Sequence, residues 1–197
     1  MSRFIYLASQ SPRRSQLLTQ LGIEHELLLA NAEEDAESLE EHFAGESPLV
    51  YVQRVTRLKL DAALKRLQMR GLPLAPVLCA DTTVALGNTI YAKPVNADDA
   101  VRMLRALSGQ THVVLTAVAI GTTDQFEQAC SVSEVTFSPM SDAEIREYVD
   151  SGEPMGKAGA YAVQGGAGAY ISRINGSYTG IMGLPLYETA QLLKRLA

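Results

Sequence analysis

Five apolar residues, Phe4-Ile5-Tyr6-Leu7-Ala8, give way abruptly to polar Ser9-Gln10-Ser11, a pattern that predicts a short buried strand and then a turn. Pro12 directly after Ser11 puts a capping residue and a first-turn proline where a helix should open. Gly22 should stop that helix just past about Leu21. His25 to Leu29 predicts a second strand. From Asn31 to Glu46 the chain is aperiodic and acidic, carrying Glu33, Glu34, Asp35, Glu37, Glu40 and Glu41, and it predicts a solvated loop. Ser47-Pro48 repeats the cap-and-proline signal and opens a long helix to about Arg70, closed by Gly71. Leu49, Val52, Val55, Leu58, Ala62 and Leu67 recur there at helical spacing, leaving Arg54, Arg57, Lys59, Lys65 and Arg66 for the other face.

Farther along, Val77 to Ala80 predicts a brief strand ending at Asp81, and Thr83 to Tyr91 a hairpin turning on Gly87-Asn88. Asn96 caps a helix to Leu107, and Thr111 to Gly121 and Phe126 to Phe137 predict two long strands joined by a short polar turn. Ser141 and Glu144 have capping-box spacing for a helix to about Asp150. A glycine-rich tract after Gly152 leads to a strand at Ala169 to Ile174 and a last helix from about Leu184. No repeat or linker interrupts this order, which predicts one mixed α/β domain over residues 1–197 with long antiparallel partners.

Composition narrows the function. A 47% apolar and 20% charged chain is an ordinary globular sequence and can bury a core. Its formal net charge of -5 argues against a nucleic-acid polymer as partner, since polymer binding rests on a surplus of basic residues. Cys79 and Cys130 stand far apart without a CxxC, so neither a disulfide scaffold nor a zinc site is indicated. No apolar run approaches the roughly 20 residues of a membrane span, and the Phe4–Ala8 run is too short for a signal-peptide core of about 7 to 15 apolar residues. A cytoplasmic protein with no membrane partner is the expectation.

Candidate chemistry collects at a few places. The turn Ser9-Gln10-Ser11-Pro12-Arg13-Arg14 at a helix start offers free N–H groups and two guanidinium forks, a cradle suited to phosphate. Two solvated arginines on a surface helix fit the same letters. Asp81, in Ala80-Asp81-Thr82, could hold a divalent metal or take a proton from water, although an aspartate at a strand end is more often a turn residue. Lys93, fixed beside Pro94, is by itself no more than a surface lysine. The glycine tract completes neither a P-loop, being one residue short before Lys157-Ala158, nor GxGxxG. His25, His42 and His112 lack metal-ligand spacing, and Ser177 is one position out of register for a nucleophile elbow.

Taken in order, Leu7-Ala8-Ser9-Gln10-Ser11-Pro12-Arg13-Arg14, Ala80-Asp81-Thr82, Lys93-Pro94, Leu107-Ser108-Gly109-Gln110-Thr111-His112, Lys157-Ala158-Gly159-Ala160-Tyr161, Val163-Gln164-Gly165, and Asn175-Gly176-Ser177-Tyr178 with Gly183-Leu184-Pro185 resemble the Maf family of nucleoside triphosphate pyrophosphatases. The blocks span nearly the whole chain. The resemblance implies a central mixed sheet flanked by helices, with two lobes and a cleft, similar to the inosine triphosphate pyrophosphatases, and a homodimer. Lys157 to Tyr161 followed by Gln164 looks like the branch acting on dTTP and UTP, with modified pyrimidine triphosphates as further substrates, rather than the 7-methyl-GTP branch. A non-catalytic nucleotide-binding regulator of cell division is the competing class.

Carried over by position, the resemblance makes Asp81 the proton acceptor and gives Arg13, Thr82 and Gln164 a part in substrate choice. Ser9, Arg14, Glu34, Lys59 and Lys93 match polar positions where phosphate or metal contacts are expected. The implied cofactor is Mg²⁺ or Mn²⁺ on Asp81 and Glu34. Two departures bear on metal affinity and rate: Ala92 stands where an acid often precedes Lys-Pro, and Gly156 where an acid often precedes Lys157.

Overall fold

In this computed structural model, which describes residues 4–31, 34 and 38–196, β1 (Phe4–Leu7) buries its apolar run, and α1 (Pro12–Gln20) opens at the expected proline. Next come β2 (Glu24–Leu27), α2 (Pro48–Met69), β3 (Val77–Leu86), β4 (Thr89–Tyr91) and α3 (Ala97–Leu107). The remaining elements are β5 (Thr111–Gly121), β6 (Phe126–Phe137), α4 (Asp142–Asp150), β7 (Ile171–Asn175), α5 (Tyr178–Met182) and α6 (Leu186–Arg195). Ser47 and Asn96 cap their helices through their side chains, and Ser141 with Glu144 closes the full capping box.

The seven strands form one mixed sheet in the order β2-β1-β3-β5-β6-β7, with β4 added beside β3. β1 runs parallel to both β2 and β3, and every other pairing is antiparallel. The expected strand end at Asp81 is corrected: β3 continues through it to Leu86. Its first edge is held by β5 from Val77 to Ala85, so the polar Asp81-Thr82-Thr83 stretch has a full ladder on that side. Along the second edge β1 pairs only with Val77 and Leu78, and β4 only with Val84 to Leu86. Between them, Cys79 to Thr83 have no strand partner, and the sheet splits there.

Apolar residues pack on either side of that split. Toward one end, α3 and α4 cover Val84, Val114 and Phe137 with Leu104 and Ile145. Toward the other, α1 and α6 cover Leu78, Val118 and Ile120 on one face, while α2 covers Tyr6, Val77 and Cys79 on the opposite face. β3 and β5 belong to both bodies, so the two lobes are halves of one sheet.

Three further expectations change. Helix α2 meets the sheet through Val52, Val55, Leu60, Ala63 and Leu67, whereas Leu49 and Leu58, assigned to the core stripe by spacing, are 43% and 36% exposed. Arg66, assigned to the face opposite that stripe, is buried. The last helix starts at Leu186, close to the expected Leu184, but an unexpected short helix, α5, precedes it and ends at Gly183, at φ +117.

Candidate active site

Alternation along β3 decides which way each polar side chain points. Odd positions face α2: Cys79 packs beneath it, and Asp81 Oδ1 accepts a 2.6 Å hydrogen bond from Lys59 Nζ. Lys59 reaches the sheet from the fourth turn of α2 and also donates to Glu40 Oε1 at 2.6 Å. Lys93 lies 3.6 Å from the other Glu40 oxygen. Burial alone would push the Lys59 ammonium down, but the charges of Asp81 and Glu40 outweigh it and its pKa is raised. Burial likewise opposes the Glu40 carboxylate, and Lys59, then Lys93, hold its pKa below the usual range.

Thr82, one residue on, faces the opposite side. Its hydroxyl lies 3.0 Å from that of Thr116 and receives a 3.4 Å contact from Arg14 Nη2. Arg14 also donates from Nε to the Gly183 carbonyl at 2.7 Å and from Nη1 to Ser9 Oγ at 3.1 Å. Each nitrogen of this guanidinium thus makes one hydrogen bond, tying α1 to β3 and to the α5–α6 break, and burial lowers its pKa. Arg13 is different. Among the described residues its side chain has no partner, and it lines the cleft opened by the split sheet. Ser11 makes no side-chain capping hydrogen bond; in the first turn of α1 Pro12 has no N–H and Arg14 N–H donates to the Ser11 carbonyl at 3.2 Å.

The cleft encloses about 1150 Å³ and runs from the Ser9–Arg14 turn past Asp81 to the glycine-rich tract, where Lys157 and Gln164 form the facing wall. Gln164 is exposed there. Lys157 has its pKa lowered, first by burial and then by the charge of Arg13, so the two walls present like charges toward each other. A polyanion between them would relieve that repulsion.

Glu34 lines the cleft, but both its oxygens are engaged by Arg66, at 2.9 and 2.5 Å. That fork, with a hydrogen bond accepted from Asn31 N–H, holds its carboxyl well below the usual range, to about 2. No described contact joins Glu34 to Asp81. The acidic residue brought to Asp81 is Glu40, from a stretch expected to be solvated, and no spacing in that aperiodic segment could have singled it out. Arg66 was missed for a similar reason, since charge alone suggested solvent. Glu33, Asp35 and Glu37 lie outside the described residues.

Of the histidines, His112 is in the core, its Nε2 2.8 Å from the Tyr161 hydroxyl, and burial pushes its pKa down to about 4. The Lys157–Tyr161 block is pressed onto β3. A Cβ on Gly159, at φ +69, would stand 2.8 Å from Val84 Cγ1, and Ala160 itself adopts φ +60.

A family model described as Maf-like protein matches residues 4–196. A dTTP/UTP pyrophosphatase of Albidiferax ferrireducens is 66% identical over 194 residues, covering 98% of this chain and 97% of that protein. Another, of Polaromonas sp., is 62% identical over 191 residues, covering 97% and 95%. A third, of Cupriavidus pinatubonensis, is 60% identical over 195 residues, covering 99% and 98%. Among solved structures, the Staphylococcus aureus Ham1 protein aligns with 68% of this chain and 71% of its own at 12% identity and a TM-score of 0.45, a likeness too distant to carry an argument.

Proposed function

This chain belongs to the Maf family, which its match from residue 4 to 196 and its full-length relatives establish, and on that premise we propose that it hydrolyses dTTP and UTP to the monophosphate and pyrophosphate. The observation that carries the reading is the placement of Asp81 at the split in the sheet, under a cleft whose walls are basic. Asp81 accepts the proton of a water attacking the α-phosphorus. Its partner Lys59 holds the carboxylate in place from the α2 side with a 2.6 Å hydrogen bond. Arg13 and Lys93 neutralise the polyphosphate and the charge growing on the departing pyrophosphate, the dominant contribution in phosphoryl chemistry.

A divalent cation fits this donor set. The described residues contain no group of three or more acidic, histidine or cysteine side chains able to cage an ion, whereas Mg²⁺ is commonly held by one or two carboxylates together with substrate phosphates. Asp81 and Glu40, both hydrogen-bonded to Lys59, would supply those carboxylates. Glu34 would first have to leave Arg66. Bound there, Mg²⁺ or Mn²⁺ would draw charge from the α-phosphorus.

Gln164 reads the base. A carboxamide offers one donor and one acceptor, complementary to the O4 and N3–H edge of uracil and thymine, while cytosine reverses the pattern. An unpaired amide costs about 1 to 3 kcal/mol, which corresponds to roughly tenfold to a few-hundredfold discrimination. As part of the same proposal the enzyme acts as a cytoplasmic homodimer, which sedimentation and fractionation would test. Among the described residues no helix is long and apolar enough to cross a membrane.

Pyrophosphate release should be measured with dTTP, UTP, CTP, GTP and 7-methyl-GTP in Mg²⁺ or Mn²⁺, for the wild type and Asp81→Asn. The expected outcome is turnover of dTTP and UTP that falls about 10² to 10⁴-fold in the variant. Preferential turnover of 7-methyl-GTP would move the chain to the other branch. UTP binding by folded protein without turnover of any nucleotide would replace the enzyme by a regulator.

A further inference from the structure

Gln164 sits in a turn closed by a hydrogen bond from Gly165 N–H to the Ala162 carbonyl at 3.0 Å. Glycines alone would leave that turn free to move. Two side chains outside it grip both of its ends. At the start, Ala162 N–H donates to the Tyr148 hydroxyl at 3.3 Å. At the finish, Gly166 N–H donates to Glu153 Oε2 at 3.1 Å. Tyr148 and Glu153 are themselves joined, the hydroxyl donating to Glu153 Oε1 at 2.6 Å. Tyr148 is rooted in α4 within the apolar body under α3, so the grip is anchored to the core. The main-chain carbonyl of Glu153 also takes the Lys157 ammonium.

The fit at Gly165 shows how close this grip is. A Cβ added there would stand 2.2 Å from Glu153 Oε1 and 2.4 Å from the rest of the carboxylate. The backbone of Gly165 is at φ -109, which any residue adopts, so the glycine is needed for space and not for its dihedral. Only a residue without a side chain lets the carboxylate lie against the turn.

We infer that Glu153, through Tyr148, is a positioning residue for pyrimidine selection: it fixes the turn that presents Gln164 to the base without touching the nucleotide. The inference rests on the reading of Gln164 given above. Base discrimination demands an amide held to within a few tenths of an ångström, because a hydrogen bond weakens steeply with misalignment. A loose turn would let Gln164 rotate to meet cytosine as readily as uracil.

Two variants loosen the grip by different routes. Glu153→Ala removes the carboxylate; Gly165→Ala keeps it but displaces it, which is cheap because it is the end of a flexible side chain. Each should lower the ratio of kcat/KM for UTP over CTP by about tenfold, chiefly through a higher KM for UTP, with kcat for UTP within about threefold of wild type. Glu153→Gln, whose amide oxygen can still accept from Tyr148 or Gly166, should recover most of the ratio. The double variant should be no worse than Glu153→Ala, since both break one contact. Amide exchange at Gly166, read in the same proteins without nucleotide, should rise at least tenfold in both single variants. Unchanged exchange, or a UTP to CTP ratio within twofold of wild type in the variants, overturns the inference. A loss confined to kcat at constant ratio overturns it too. If instead the wild type does not distinguish UTP from CTP, it is the Gln164 reading that fails, and exchange at Gly166 alone then decides whether Glu153 fixes the turn.

Discussion

Replacing Lys59 by Met removes the ammonium between two carboxylates while keeping a chain of similar length on α2. Asp81 Oδ1 and Glu40 Oε1 are each 2.6 Å from the lost nitrogen, and so are no more than about 5 Å apart. Unit charges at that separation repel by about 3 kcal/mol at an effective dielectric constant of about 20. Breaking a buried pair usually costs about 3 to 5 kcal/mol, but the Lys59 side chain is 22% exposed, and solvent screening brings the expected loss to about 2 kcal/mol. For a chain of this size that lowers Tm by roughly 4 to 8 °C. The pH dependence follows from Glu40, whose folded pKa is lowered in the wild type. A lowered carboxylate contributes stability above its unfolded value of 4.5 and loses it as pH falls through the folded value. In the variant that contribution is absent, so the gap between the proteins should be widest near pH 7.5 and narrower by about pH 3. Thermal unfolding followed at both pH values measures it. A drop below about 1 °C at pH 7.5, or an equal gap at the two pH values, would refute the reasoning.

Other outcomes are accessible with the same preparations. His112 is neutral in the fold with its pKa near 4 against 6.5 unfolded; stability should therefore hold above pH 6.5 and fall by up to about 3 kcal/mol as pH drops toward 4. His112→Gln should flatten that dependence in a denaturant titration series. Gly159→Ala must take a left-handed backbone and meet Val84, for a loss of about 2 to 4 kcal/mol that calorimetry would detect as a large fall in Tm. Arg14→Lys loses the fork that joins Gly183, Ser9 and Thr82; a fall of about 1 to 3 kcal/mol in unfolding free energy is expected, and an unchanged denaturation midpoint would contradict it.

Most elements were legible because their signals are local. Proline after Ser11 and Ser47, the Asn96 cap and the Ser141–Glu144 box each fix a helix start within one residue, the first through the fixed φ of proline and the others also through hydrogen bonds made inside a single turn. The long alternating runs of β5 and β6 are equally local, and so is the turn at Gly87-Asn88. The family was legible too, because the order of short blocks from Ser9 to Pro185 is specific to it while no block is specific alone, and that order made Asp81 a candidate.

What the sequence by itself determined was thus the elements, their order and the family. Tertiary structure decided the direction of β3 past Asp81, because a strand's continuation depends on a partner, here β5, some thirty residues away. It decided that Lys59 points into the sheet and Leu58 away from it, since the face a helix buries is set by the surface it lands on and only partly by its own spacing. And it decided that Glu40, and not Glu34, shares the Lys59 ammonium with Asp81: charges in an aperiodic loop carry no period to read, and their partners are chosen by distances that only the folded chain defines.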